Sequence, residues 1–255
     1  VTEKRKIIEV KHLTKKYNGL TAVKDISFDV YQGEIFGLLG PNGAGKTTTL
    51  EIMETLREET EGEVFIDGFS INTDPGKIKE IIGVQLQQAG FYPSLTLIES
   101  LKLFAGLYNV DVKPEVLLEK VGLLDKAKVS FKKLSGGQKQ RFSIATTLVN
   151  TPKVIFLDEP TTGLDPQARR NLWDLIKALR KDDTTIIMTT HYMDEAEVLC
   201  DRCAIMDEGK IIAIDTPDHL IDGLLGKGFK RERKVKEATL EDVFIDLTGK
   251  ELRDE

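Results

Sequence analysis

Hydrophobic positions fall into short runs of two kinds. Apolar residues alternate or cluster over residues 7–10 and 22–30, the strand period, with KYNGL between them as a turn. Residues 33–39 (GEIFGLL) form a continuous apolar run of strand length. It leads through a glycine-rich loop into TTTLEIMETL, where Leu50, Met53 and Leu56 recur at helical spacing. GEVFIDGFSI predicts a hairpin about Asp67-Gly68, and residues 81–86 a further strand.

From about residue 87 to 150 the period becomes helical. SLTLIESLKLFAGLY, PEVLLEKVGLL with a first-turn proline, and GQKQRFSIATTLVN read as an inserted helical subdomain. Strand-type runs return at 153–157, 184–189 and 204–206, separated by ARRNLWDLIKALRK and MDEAEVLC. Strands alternating with helices predict an α/β fold with a mostly parallel sheet, preceded by an antiparallel β-rich subdomain. Beyond Pro217 the basic stretch GLLGKGFKRERKVKE reads as a solvated linker and LEDVFIDLTG as a last small helix. The expected division is a main domain over 1–220 and a tail over 221–255, with no internal repeat.

The 255 residues are enough to bury roughly 70 to 75% of the unfolded chain's surface. Charged residues at 31% and hydrophobic ones at 40% exclude whole-chain disorder, and no apolar run approaches a membrane span. Lys and Arg number 36 against 42 Asp and Glu, a net charge of −6, so attraction to nucleic acid by bulk charge is not expected. Cys200 and Cys203 lie in a helical-looking stretch. The three histidines, His12, His191 and His219, are not spaced to complete a zinc site with them, so they are expected as reduced, partly buried thiols of a cytosolic protein. VTEKRKIIEVKH lacks the apolar centre and cleavage site of a signal peptide, so nothing is expected to direct the chain out of the cytosol.

The sharpest signal is Gly40-Pro41-Asn42-Gly43-Ala44-Gly45-Lys46-Thr47, a full G-x-x-x-x-G-K-[ST] phosphate-loop pattern between an expected strand and an expected helix. Its glycines let backbone N–H groups converge on phosphate oxygens, and the helix adds its positive end. Lys46 is expected against the β- and γ-phosphates and Thr47 on Mg²⁺, with Thr48 beside them. An acidic partner for the metal stands at the end of a second apolar strand, VIFLDE. Asp158 is expected to meet the metal through water, and Glu159 to take the proton from, or orient, the attacking water. Two adjacent carboxylates there are hard to explain by packing, since each raises the other's pKa unless a cation intervenes.

With Leu134-Ser135-Gly136-Gly137-Gln138 standing between these two motifs, the chain closely resembles the ATP-binding cassette family over nearly its whole length. The resemblance implies a P-loop NTPase core and a head-to-tail dimer. In that dimer Ser135, Gly136, Gly137 and Gln138 of one subunit cap the γ-phosphate of ATP held by the other. It implies further that Tyr17 stacks on adenine and that Gln87, with Gln85 and Gln88 nearby as alternatives, joins the subdomains and reaches Mg²⁺ and the attacking water. Asp165 would cross to the other subunit, and His191 would sense the γ-phosphate and align Glu159. Alone, Tyr17 could be a half-buried strand residue and His191 a satisfied core histidine; their order among the motifs favours the site.

Such a clamp converts ATP hydrolysis into motion. Without membrane helices, a transporter reading requires an integral membrane permease on a separate chain. That permease would dock near residues 87–108, with GFYPSLT lining the groove, and the cassette would sit peripherally on the cytoplasmic face of the membrane. The tail ATLEDVFIDLTG resembles cassettes of drug, lipid or polysaccharide exporters, which favours export. The rival is a soluble cassette acting on ribosomes or DNA; one cassette, no sustained heptads and an acidic balance count against it. A small-molecule phosphotransferase would have no use for LSGGQ.

Overall fold

The computed structural model describes residues 4–85, 90–180 and 184–229. β1 (Lys6–Tyr17) and β2 (Leu20–Tyr31) pair as an antiparallel hairpin. Asn18 and Gly19, with φ 26° and 93°, make its two-residue turn, as the twist of a hairpin requires. Lys16, Tyr17 and Leu20, expected in the turn, are therefore strand residues. The strand was longer than its alternation suggested because register shifts between Val10 and Leu13 and between Leu13 and Lys15 interrupt the period. β1 also pairs with β4 (Glu61–Ile66), which carries β5 (Phe69–Ser70), giving the sheet order β2-β1-β4-β5.

The second sheet has the order β10-β9-β3-β8-β7-β6. β3 (Ile35–Leu39), β6 (Ile82–Gln85), β7 (Val154–Asp158), β8 (Thr185–Thr190) and β9 (Arg202–Asp207) run parallel, and only β10 (Lys210–Asp215) is antiparallel. Every residue of β3, β7 and β8 is buried, as strands covered on both faces must be. β10 was not expected; it is a partly exposed edge strand without a dense apolar run. Parallel strands align their carboxyl ends, so the chain leaving β3, β8, β7 and β6 emerges at one rim, where α/β folds place ligands.

α1 (Lys46–Met53) leaves that rim after β3. It stops before the expected Leu56, because Thr55 adopts a left-handed φ of 60° and Leu56 turns out to solvent. α2 (Pro75–Ile81), begun by a proline, takes Ile81 from the expected strand. α6 (Pro166–Arg180) buries Leu172, Leu175, Ile176 and Leu179, one face at helical spacing, each side chain contributing about 2 kcal/mol. α7 (Met193–Leu199) follows β8. It ends before the two cysteines: Cys200 is the extended cap and Cys203 lies on β9, both free and buried.

The helical insert holds α3 (Leu97–Tyr108), α4 (Pro114–Lys120) and α5 (Gly136–Thr147). Thr96 and Glu99 cap α3 reciprocally. Phe91, expected to line a docking groove, is half-buried and packs against Phe131 at 4.4 Å and Phe142 at 5.3 Å between ring centres, while Tyr92 is exposed. α5 lies against β6, where a Cβ at Gly83 would come within 2.2 Å of the Thr147 carbonyl oxygen.

The chain forms two compact units, residues 1–217 and 218–255. The second carries α8 (Pro217–Gly226) from its second residue onward. Residues 223–226, expected as linker, are thus helical. The expected helix LEDVFIDLTG lies outside the described residues.

Candidate functional site

At the carboxyl rim, the loop from Gly40 to Gly45 is shaped by glycines no other residue could replace cheaply. Gly40 has φ 154°, and a Cβ there would meet the Met206 carbonyl oxygen at 2.2 Å. Gly45 caps α1 with φ 98°, and its Cβ would meet the Ala22 carbonyl oxygen at 2.6 Å. Ala44 is buried, and its carbonyl accepts from the Gly209 N–H at 3.1 Å, tying the loop to the turn before β10. The N-terminal N–H groups of α1 have no side-chain cap, so they remain available to an anion.

Lys46 is 4% exposed. Its ammonium donates to the carbonyls of Gly40 at 2.9 Å and Pro41 at 3.0 Å and stands 3.9 Å from Glu159 Oε1. Burial pushes its pKa down, and Glu159 and Asp158 pull it back up. The cation is thereby stretched across the glycine loop.

Thr47 Oγ1 donates to Asp158, 3.3 and 3.4 Å from its two carboxylate oxygens. Thr189, directly opposite Asp158 in the β7–β8 register, donates its hydroxyl to Asp158 Oδ1 and accepts from the Glu159 N–H at 2.9 Å. Burial raises the Asp158 pKa, the hydroxyl bonds from Thr189 and Thr47 lower it, and Glu159 raises it. A hydroxyl and a buried carboxylate side by side are hard oxygen donors, and they fit Mg²⁺, which takes few protein ligands and keeps its waters.

Glu159 has φ 46°, a left-handed conformation that turns its side chain away from the direction Asp158 takes. Its Oε2 accepts from Thr162 Oγ1 at 3.1 Å, and its Oε1 lies 3.2 Å from His191 Nδ1, within ion-pair reach but off the line of a hydrogen bond. The carboxylate is largely buried and the imidazole about one-third exposed. A carboxylate held between an ammonium and an imidazole, beside a metal-type pair, is placed to accept a proton from water.

A cleft of about 530 Å³ gathers Tyr17, Leu20, Ala22, Asn42, Gly43, Gly45, Lys46, Thr47, Thr48 and Glu159. Tyr17 is half-buried at the end of β1, with the Lys15 ammonium and the Arg57 guanidinium 5.1 and 5.3 Å from its ring centre. The chemistry of this wall suits a flat base followed by a polyphosphate.

The remaining expected residues stand elsewhere. Ser135 caps α5 through a reciprocal pair with Gln138: the Gln138 N–H donates to Ser135 Oγ at 3.3 Å and the Ser135 N–H to Gln138 Oε1 at 3.0 Å. Ser135 and Gly136 are exposed, and Gly137 lets α5 approach α6, where its Cβ would meet the Ala168 Cβ at 3.1 Å. None of Ser135, Gly136, Gly137 and Gln138 lines the cleft. Asp165 is exposed and caps α6, accepting from the Ala168 N–H at 2.8 Å. Gln87 lies outside the described residues. Sequence reasoning missed Thr189; the polar residues in the apolar run TTIIMTT were its only signal.

Comparison with known proteins adds relatives. A family model described as ABC transporter matches residues 23–162. The linearmycin resistance ATP-binding protein LnrL of Bacillus subtilis (strain 168) is 39% identical over 225 residues, covering 86% of this chain and 72% of that protein. The probable multidrug ABC transporter ATP-binding protein YbhF of Escherichia coli (strain K12) is 38% identical over 94% of this chain, which spans only 41% of YbhF. Among solved structures, the dimeric post-hydrolysis state of the ATP-binding cassette MJ0796 bound to ADP and Pi superimposes with a TM-score of 0.74. It is 29% identical and covers 82% of this chain and 98% of that one.

Proposed function

The chain belongs to the ABC transporter family, and from that premise we propose that it is the ATP-hydrolysing subunit that powers export through a separate integral membrane permease. The observation that carries the reading is the split between two half-sites. One half, the cleft lined by Tyr17, Lys46, Thr47, Thr48 and Glu159, with Asp158 behind Thr47 and His191 beside Glu159, has the wall for a nucleotide and the base for hydrolysis. The other half, the exposed N-terminus of α5 at Ser135 and Gly136, offers hydrogen-bond donors but does not face the cleft. Two copies arranged head to tail join each half to its complement, in keeping with the dimeric, ADP-bound cassette the fold resembles.

In this reading Tyr17 stacks on the base, and the loop N–H groups with Lys46 hold the β- and γ-phosphates. Thr47, Asp158 and Gln87 would hold Mg²⁺. Mg²⁺, when bound, neutralises charge on the β- and γ-oxygens. Glu159 takes the proton of the attacking water while His191 keeps its carboxylate turned to the γ-phosphate. Ser135, Gly136, Gly137 and Gln138 of the second copy close over the γ-phosphate, and Asp165 meets that copy. Residues 1–220 constitute the motor, with the 87–150 insert as its docking arm, and residues 221–255 a tail. The cassette sits on the cytoplasmic face of a membrane; no helix among the described residues is long and apolar enough to cross one. The resistance and multidrug roles in the names of LnrL and YbhF support a drug-like export substrate.

The test is a pull-down with tagged Glu159→Gln protein and Mg-ATP from detergent-solubilised membranes of the source cells. A multi-helix membrane protein recovered in equal amount supports the proposal. Ribosomal proteins or nucleic acid without a membrane protein overturn it.

A further inference from the structure

We propose that Tyr192 and Arg169 are positioning residues that hold the His191 imidazole toward Glu159 and tie it to α6, the helix entered through Asp165. The inference rests on the reading of His191 and Glu159 as the hydrolytic pair. The His191 and Tyr192 rings lie 4.1 Å apart between centres. The Arg169 guanidinium stands 4.6 Å from the centre of the Tyr192 ring. A run of contacts therefore leads from α6 through Arg169 and Tyr192 to His191 and on to Glu159 Oε1 at 3.2 Å.

Four features mark this run as more than general packing. Arg169 carries a buried Nε with no hydrogen-bond partner, so the guanidinium is held by the tyrosine face and by Asp194 Oδ2 at 3.4 Å. One helical turn on, Trp173 Nε1 donates to Glu195 Oε1 at 3.1 Å, and Glu195 is completely buried. Residues 169 and 173 share one face of α6, so two ties grip the segment from Tyr192 to Glu195 and fix its register. The Tyr192 backbone is pinned in turn, its N–H donating to Thr190 Oγ1 at 3.0 Å. His191, at the open end of β8, has little else to set its rotamer: its Nδ1 has no aligned hydrogen bond, and its side chain is one-third exposed.

The position of α6 matters because its first turn is capped by Asp165, the residue expected to touch the second subunit. Any shift of that turn on dimer closure reaches His191 through Arg169 and Tyr192. The stack thereby makes hydrolysis answer to the presence of the second copy, while nucleotide binding, which depends on the 40–47 loop, does not pass through it.

The experiment measures steady-state ATPase and nucleotide affinity of full-length Tyr192→Leu, Tyr192→Phe and Arg169→Met, each alone and with His191→Ala. Tyr192→Leu should lower kcat about tenfold and Arg169→Met about fivefold, with nucleotide affinity changed less than about twofold. Tyr192→Phe, which keeps the ring, should retain most of the turnover. In the His191→Ala background the second substitution should change kcat less than about twofold, since its effect passes through the missing imidazole. Multiplying losses in that background, or affinity falling in parallel with kcat, would overturn the tie while leaving the hydrolytic pair intact. Unchanged kcat in Tyr192→Leu would also overturn it. Unchanged kcat in His191→Ala would instead overturn the reading of the pair, and the tie with it.

Discussion

His191 Nδ1 faces Glu159 Oε1 at 3.2 Å, although the two residues stand 32 positions apart along the chain. Adjacent parallel strands bring them together: β7 ends at Asp158 and β8 at Thr190, and the Asp158–Thr189 pairing sets both side chains at the same rim. Thr189 adds a second lock, bonding Asp158 with its hydroxyl and receiving the Glu159 N–H. One strand neighbour thus holds both residues of the DE pair, Asp158 by its side chain and Glu159 by its backbone.

Glu159→Gln keeps the shape and most hydrogen bonding but removes the proton acceptor. Hydrolysis should fall by about 10² to 10⁴-fold while ATP affinity survives and an ATP-bound dimer accumulates on a sizing column. Turnover like that of the unaltered chain would remove Glu159 from the role of base.

Lys46→Ala removes the cation that spans the Gly40 and Pro41 carbonyls. Charge-assisted contact with the β- and γ-phosphates goes with it, so nucleotide affinity should weaken by about 100-fold or more. Equilibrium binding of a fluorescent ATP analogue reads this directly, and an unchanged Kd would exclude Lys46 from the phosphate site.

Much of this site is legible in the residues because its elements are extreme. β3, β7 and β8 are buried throughout and read as unbroken apolar runs, and the 40–47 loop needs glycine where φ is positive or a Cβ would strike backbone. The failures share one cause, conformations decided by neighbours. Periodicity carries α1 on to Leu56, but a left-handed Thr55 ends it. Register shifts hide the length of β1, and β10 owes its existence to pairing with β9 at the sheet edge. Thr189 acquires its role only from the register of two strands. Ser135 is not among these failures: it does not line the cleft of its own chain, and the resemblance had assigned it to nucleotide held by the other subunit.

Gly83→Ala tests how closely the signature-bearing helix must press on the core. A methyl there would lie 2.2 Å from the Thr147 carbonyl oxygen and 3.0 Å from its carbonyl carbon and Cβ, atoms of α5 that cannot step aside singly. Overpacking of this kind costs about 1–3 kcal/mol or more, so Tm should fall by about 5 °C. Gly76→Ala in α2, where a Cβ meets nothing within 4 Å, is the control and should leave Tm unchanged or raise it. Equal Tm for both variants would contradict the close approach of α5 to β6.

Glu54 gives the fold a pH dependence whose sign can be worked out. It caps α1 with 2% exposure and an Oε1 that has no hydrogen-bond partner. Burial pushes its pKa up from 4.5 to about 8, with the charges of Asp158 and Glu51 adding to the rise. Near pH 4 the carboxyl is protonated in both folded and unfolded chains and costs nothing. Between 4.5 and 8 the folded chain keeps a proton that the unfolded chain has released, so stability falls with each step of rising pH; above 8 both forms are ionised and the loss is complete. Glu54→Gln keeps the shape without the charge. Its advantage in urea unfolding should be small at pH 5 and reach about 2 kcal/mol or more at pH 8. An advantage equal at the two pH values would mean that the carboxyl ionises in the fold as it does in water, and the buried position of Glu54 would then need another account.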